Sequence, residues 1–157
     1  MFPTCLVEYQ EPAIGKALVK VYEHNGIECT LTDAGCCGAP FLHSGDLDAF
    51  TKVAVDNDAT LAAEVRKGND IVVPQPTCSY VLKKDYVDYV GGPDAELVAA
   101  HTFDSSEYLI NLHKAEGTEL DTTFLPEARM RQMSVIASKG RRAPVSSSPL
   151  SAVRPRV

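Results

Sequence analysis

No stretch of this 157-residue sequence approaches the roughly 18–20 consecutive apolar residues that a membrane-crossing helix needs. No direct membrane span is therefore expected. The first residues do not form the basic, apolar and small-residue succession of a secretion leader. Positive charge is also scarce. The formal net charge is −6 and the sequence pI is about 5.1, which argues against nucleic acid as a main partner. An even set of cysteines is lacking too. There are five: Cys5, Cys29, Cys36, Cys37 and Cys78. An odd number without a leader is a poor basis for a disulfide framework and favours a cytoplasmic metal or redox site.

What is present is unevenly placed. Residues 1–125 hold eight Lys and Arg against twenty Asp and Glu, a balance of −12, while residues 126–157 hold seven against one, a balance of +6. The later segment shows no apolar period and is rich in Ser, Pro and Arg. It is expected to be irregular and disordered, or a non-native continuation. It has no aromatic residue, which weakens any reading of its arginines as a nucleic-acid patch.

Before that tail the pattern alternates. Met1 to Val7 reads as the end of a short strand. From Pro12, the residues Ile14, Ala17, Leu18, Val21 and Tyr22 predict one buried helical stripe, with Gly26 as the stop. Ile27 to Leu31 reads as a second strand and Ala34 to Pro40 as a small-residue loop. A helix capped near Ser44–Asp46, with Leu47, Phe50, Ala54, Leu61 and Val65 on its apolar face, runs to Gly68. Ile71 to Val73 reads as a strand buried on both faces. A helix from about Cys78 to Tyr89 closes at Gly91–Gly92. A last one spans Ser105 to Ala115, with Asp104 as cap, Glu107 at the capping-box position and Gly117 as stop. Strand and helix in alternation predict βαβ units around a parallel sheet.

On that layout Cys5 follows strand one, Cys36 and Cys37 follow strand two, and Cys78 follows strand three. Loops after parallel strands emerge at one edge of the sheet, where ligand sites form, so four thiols are expected to converge. Gly35 and Gly38 flank the vicinal pair and permit unusual backbone angles. Cys78 falls at a helix N-terminus, which favours thiolate. Four thiolates suit zinc or an iron–sulfur centre. Cys29 lies inside a strand pattern and reads as a small core residue. His24, His101 and His113 read as ordinary helix or helix-end residues. His43 follows the Cys-Cys loop and reads as a surface imidazole near it.

The stretches Phe2-Pro3-Thr4-Cys5, Cys36-Cys37-Gly38-Ala39-Pro40-Phe41 with Gly45-Asp46, and Pro76-Thr77-Cys78-Ser79-Tyr80-Val81-Leu82-Lys83-Lys84-Asp85-Tyr86 resemble the cysteine-rich CCG domain family. Its members include the iron–sulfur subunits of anaerobic glycerol-3-phosphate dehydrogenase, of glycolate oxidase and of lactate utilisation, and the cysteine-rich subunit of heterodisulfide reductase. In the last of these the third motif is C-x-x-C. Val81 takes the second position here, so the chain is more similar to the dehydrogenase-associated branches. The resemblance covers about residues 1–120 and includes one module where family members usually carry two, which marks the chain as a truncated form.

The resemblance implies an α/β fold with a short parallel sheet flanked by helices, Rossmann-like and three-layered, its first strand incomplete. Residues 1–120 would form the cysteine-rich domain and 121–157 the irregular tail. It implies an electron-transfer component of an oxidoreductase complex, not active alone. Cys5, Cys36, Cys37 and Cys78 would hold an iron–sulfur cluster, [4Fe–4S] by thiol count. Electrons would pass from a flavin-dependent dehydrogenase partner towards a quinone or other carrier, with a second CCG module as a further partner. The setting would be cytoplasmic, at the inner face of the membrane through partners. The residues leave two alternatives open. One is a thiol/disulfide redox protein using Cys36-Cys37 and Cys78. The other is a structural zinc module or an inactive fragment.

Overall fold

Capping residues set the helices that frame the site. The computed structural model describes residues 1–115, 120 and 121. The chain divides into two units, Met1–Leu120 and Asp121–Val157, and all the elements named below lie in the first. The expected irregular tail, Asp121 apart, and the expected stop Gly117 lie outside the described residues. Helix α1 spans Pro12–His24, α2 Ala39–Ser44, α3 Leu47–Arg66, and strand β1 Ile71–Val73. Next come α4 (Pro76–Tyr80), α5 (Tyr86–Tyr89), α6 (Gly92–Ala100), strand β2 (Thr102–Asp104) and α7 (Ser105–Lys114). None of these helices is long and apolar enough to cross a membrane.

Asp46 caps α3 by accepting the Ala49 N–H at 3.1 Å, and Gly68, at φ +93°, lets the chain leave the helix. Phe50, Ala54, Leu61, Ala62 and Val65 bury the inner face of α3. Each of the larger ones contributes roughly 1.5–3 kcal/mol of apolar burial. Leu47, expected on that face, is 46% exposed because as the first helical residue it precedes the first buried turn. In α1 Tyr22 is buried and Leu18 and Val21 are partly covered, as expected, while Ile14 and Ala17 point outwards and Gly15 is buried in their place. A Cβ there would lie 2.3 Å from Val7 Cγ1, so the bare backbone is what seats α1 against Val7. Helix α7 has the expected capping box: Asp104 accepts the Ser106 N–H and Glu107 accepts the Asp104 N–H.

The sheet is parallel and short. Strand β1 pairs with β2 in the register Ile71 to Thr102, Val72 to Phe103 and Val73 to Asp104. β2 and α6 went unread in the sequence. The Gly91–Gly92 pair, both at positive φ, ends one helix and at once opens the next, with Pro93 in its first turn. The two strands expected at Met1–Val7 and Ile27–Leu31 are corrected: neither is a strand, and Leu6–Gln10 instead forms a π-helical turn. Single rungs survive at their place. The Met1 ammonium donates to Thr30 O and Thr32 N–H to Met1 O at 3.2 Å. Phe2 N–H donates to Val72 O at 2.9 Å. The next rung of a parallel ladder would need an N–H from residue 74, which is proline and has none.

The two faces of β1 are both buried, as its continuous apolar run predicted. Ile71 and Val73 join a core with Phe2, Phe50, Leu61, Val81, Leu82, Tyr86 and Val98. Val72 joins a second core with Tyr22 and Tyr108, edged by Leu18, Cys29 and Phe103. Helices thus flank both sides of the short sheet. The helix expected from Cys78 to Tyr89 is present but begins at Pro76 and is interrupted by a π-helical turn at Val81–Asp85, a widening common at functional sites.

Candidate metal centre

Three segments carry cysteines to the carboxyl end of β1. Cys5 precedes the π-helical turn at Leu6–Gln10. Cys36 and Cys37 end the irregular segment before α2, and Cys78 lies in the first turn of α4. The Sγ atoms of Cys5 and Cys36 are 3.4 Å apart, and those of Cys37 and Cys78 are 3.2 Å apart. All are free thiols. Cys37 and Cys78 are 2% and 6% exposed, whereas Cys5 and Cys36 are half-buried. The four expected ligand positions are therefore brought together. Cys29 is not among them and lies with the second core.

Neighbouring backbone amides favour charge on the sulfurs of Cys36 and Cys37. The hydrogen bond with Cys78 holds the Cys37 thiol down to about 7, helped by the N–H groups of Ala39 and of Cys37 itself against the opposing effect of burial. Burial pushes Cys36 up to about 11, against the N–H of Gly38 that donates to its sulfur. Cys78 is pushed up, first by its hydrogen bond with Cys37 and then by burial. The expected preference for thiolate at Cys78 is thus corrected.

Gly38 sits at φ +84°, and a Cβ there would lie 3.0 Å from the Phe50 ring. Glycine is needed at that turn for both reasons. Gly35 is not at positive φ, contrary to expectation, and its contribution is its N–H. That N–H donates to Asn57 Oδ1 at 2.9 Å. Asn57 Nδ2 in turn donates to Cys36 O at 2.9 Å and to the Tyr86 hydroxyl at 2.9 Å. The Tyr86 hydroxyl donates to Cys37 O at 3.0 Å. Neither residue was read as functional in the sequence. One signal was there: Asn57 interrupts the apolar stripe of α3 between Ala54 and Leu61, and it is 4% exposed. His43 is exposed on α2, and His101 pairs with Asp70 at 3.0 Å.

Among the described residues no three His, Cys, Asp or Glu side chains surround one point as a single metal ion requires. The sulfurs stand as two hydrogen-bonded pairs instead. The donor chemistry nevertheless fits a polynuclear thiolate-held group. Four soft donors stand in two pairs, the kind and number of donors that a thiolate-held cluster uses.

The model of the cysteine-rich domain family CCG matches residues 1–83. Lactate utilization protein A of an Exiguobacterium species is 31% identical over 134 residues, 82% of this chain and 53% of that protein. A subunit of the fumarate reductase (CoM/CoB) of Methanothermobacter marburgensis is 33% identical over 110 residues, 69% of this chain and 20% of that protein. A subunit of the anaerobic glycerol-3-phosphate dehydrogenase of Escherichia coli is 32% identical over 87 residues, 54% of this chain and 22% of that protein. The chain spans about half the length of the first of these relatives and about a fifth of the other two. No solved structure matches.

Proposed function

Because this chain belongs to the cysteine-rich domain family CCG, we propose that it is an electron-transfer module of an oxidoreductase complex, in which Cys5, Cys36, Cys37 and Cys78 hold an iron–sulfur cluster. The observation that carries this reading is the gathering of four free thiols from three distant segments into two pairs at 3.4 and 3.2 Å. Relatives named as subunits of a fumarate reductase and a glycerol-3-phosphate dehydrogenase support the oxidoreductase setting.

A bound cluster, [4Fe–4S] by the number of thiols, would accept and release single electrons. The chain's own residues do the rest. Ala39 N–H and Gly38 N–H stabilise negative charge on Cys37 and Cys36. Cys37 and Cys78 keep one side of the centre dry, while half-buried Cys5 and Cys36 bring the other towards the surface, where a partner can approach. On this reading a flavin-dependent dehydrogenase delivers electrons and a quinone or other carrier removes them. A second cysteine-rich module and contact with the inner membrane face through partners complete the assembly.

Anaerobic reconstitution of the full chain with iron and sulfide, followed by iron and sulfide analysis and EPR after dithionite reduction, tests it. About four iron and four sulfide per chain are expected, lost in Cys36→Ser and Cys78→Ser. A folded protein that takes up neither, or a colourless one holding a single zinc, rejects the reading. The close sulfur pairs favour one alternative, a dithiol–disulfide couple. There Cys37 and Cys78 would each lose a proton and together pass two electrons to a disulfide acceptor as the S–S bond forms. Thiol titration in a glutathione redox series would then show two thiols disappearing together.

A further inference from the structure

The carbonyls of the Cys36-Cys37 loop, not its amides, are what the surrounding protein grips, and this decides where the amides point. All peptide bonds described are trans, and in a trans peptide the C=O and the following N–H project to opposite sides of one plane. The Cys36 carbonyl is held by Asn57 Nδ2 at 2.9 Å. The other end of the same peptide is the Cys37 N–H, which therefore faces away from Asn57. The Cys37 carbonyl is held by the Tyr86 hydroxyl at 3.0 Å. The other end of that peptide is the Gly38 N–H, which therefore faces away from Tyr86 and favours charge on the Cys36 sulfur. Asn57 also takes the Gly35 N–H at 2.9 Å and joins Tyr86 at 2.9 Å. Two side chains on α3 and α5 thus fix three consecutive backbone units across 21 to 49 residues of sequence. Both side chains are buried, Asn57 at 4% and Tyr86 at 0% exposure, and the bonds of the Tyr86 hydroxyl to Asn57 and to Cys37 O are shielded from water.

We propose that Asn57 and Tyr86 are positioning residues which, by anchoring the carbonyl ends of two peptide planes, aim the opposite N–H groups at the Cys36 and Cys37 sulfurs and so set the reduction potential of the centre. Amides donated to cluster sulfurs favour the more negative, reduced state. Releasing a plane weakens its N–H to sulfur bond and lowers the potential. The effect on a bound cluster rests on the function proposed above, while the effect on the backbone does not.

The test uses the full chain with Tyr86→Phe and Asn57→Ala. Tyr86→Phe keeps the ring that packs on Phe50 and removes only the hydroxyl. In the metal-free protein, hydrogen–deuterium exchange at the Gly38 amide, which Tyr86 never touches, is expected to rise about 5- to 10-fold in Tyr86→Phe, as loss of one buried hydrogen bond allows. Amides of α7 should stay within twofold. In Asn57→Ala the Gly35 and Cys37 amides should accelerate as well. In the reconstituted protein Tyr86→Phe should lower the midpoint potential by up to roughly tenfold in the reduction equilibrium, about 59 mV for one electron. Unchanged Gly38 exchange in Tyr86→Phe, or acceleration shared equally by α7, overturns the proposal. So does an unchanged potential in a variant that loads iron normally. If Asn57→Ala does not fold, Tyr86→Phe alone decides. If the parent protein binds no iron, the electron-transfer reading fails, and the exchange experiment still judges the clamp.

Discussion

The two faces of β1 bury cysteine in opposite ways. On the face of Ile71 and Val73, Cys37 and Cys78 are in the core, their sulfurs paired and supplied with amide donors, and a polar clamp of Asn57 and Tyr86 closes the layer. On the face of Val72, Cys29 sits at the edge of an aromatic core made by Tyr22 and Tyr108, their rings edge-to-face at 5.9 Å. Its thiol is pushed up by burial, partly offset by the terminal ammonium. The same residue type is thus a packing element on one side and a ligand candidate on the other. What separates the two is whether a second sulfur and directed backbone N–H groups are present.

Substitutions can break this contrast, beginning with the thiol face. Phe50→Ala should cost about 3–5 kcal/mol, because Phe50 is fully buried, packs edge-on to Tyr86 and Tyr89, and floors the Gly38 turn. Urea denaturation measures it, and a loss under 1 kcal/mol would mean that the turn does not rest on this ring. Asp58, beside the clamp on α3, is 3% exposed, and neither carboxylate oxygen meets a hydrogen-bond partner among the described residues. Burial, with Asp94 adding, raises its carboxyl to about 6. Between about pH 4, where the unfolded chain releases this proton, and about pH 6, the folded state holds a proton that the unfolded state lacks. Stability should therefore fall as pH rises through that window, by on the order of 2–3 kcal/mol, and then level off. Denaturation midpoints at pH 4 to 7 should lose this slope in Asp58→Asn. An identical slope in the variant would assign it to another group.

The other side of the contrast should respond more weakly. Gly15→Ala forces a methyl against Val7, whose β-branched side chain has little rotamer freedom. About 1–3 kcal/mol is expected, read as a lower thermal midpoint; Val7 belongs to neither core and follows Cys5 by two residues, so this variant reads stability alone. Tyr22→Phe removes the hydroxyl that donates to Ser105 O at 3.1 Å but keeps the ring pair with Tyr108. About 1 kcal/mol should be lost, with no effect on the thiol centre. A change in iron content in Tyr22→Phe would show that the two faces are coupled.

The thiol cluster was legible because its information is topological. Cys5, Cys36-Cys37 and Cys78 each follow a segment running the same way, so their meeting did not depend on regular strands. Helices α1, α3 and α7 were legible through Pro12, Asp46 and the Asp104–Glu107 box, signals that act within one turn. Strand β1 was legible as the apolar run Ile71–Val73, but the other strand readings were not borne out. Pro3 and Pro74 remove ladder donors, and the three residues Thr102–Asp104 are too few to show a period. The clamp was the least readable part. Asn57 and Tyr86 find their partners 21 to 49 residues away, and the break that Asn57 makes in the apolar stripe of α3 does not say which groups it meets.

The most direct test of the contrast compares Cys29→Ser with Cys78→Ser in the anaerobically reconstituted full chain, by iron and acid-labile sulfide per folded protein. The account predicts about four of each in the parent and in Cys29→Ser, and loss of both in Cys78→Ser. Equal loss in both variants, or full loading of Cys78→Ser, would contradict it.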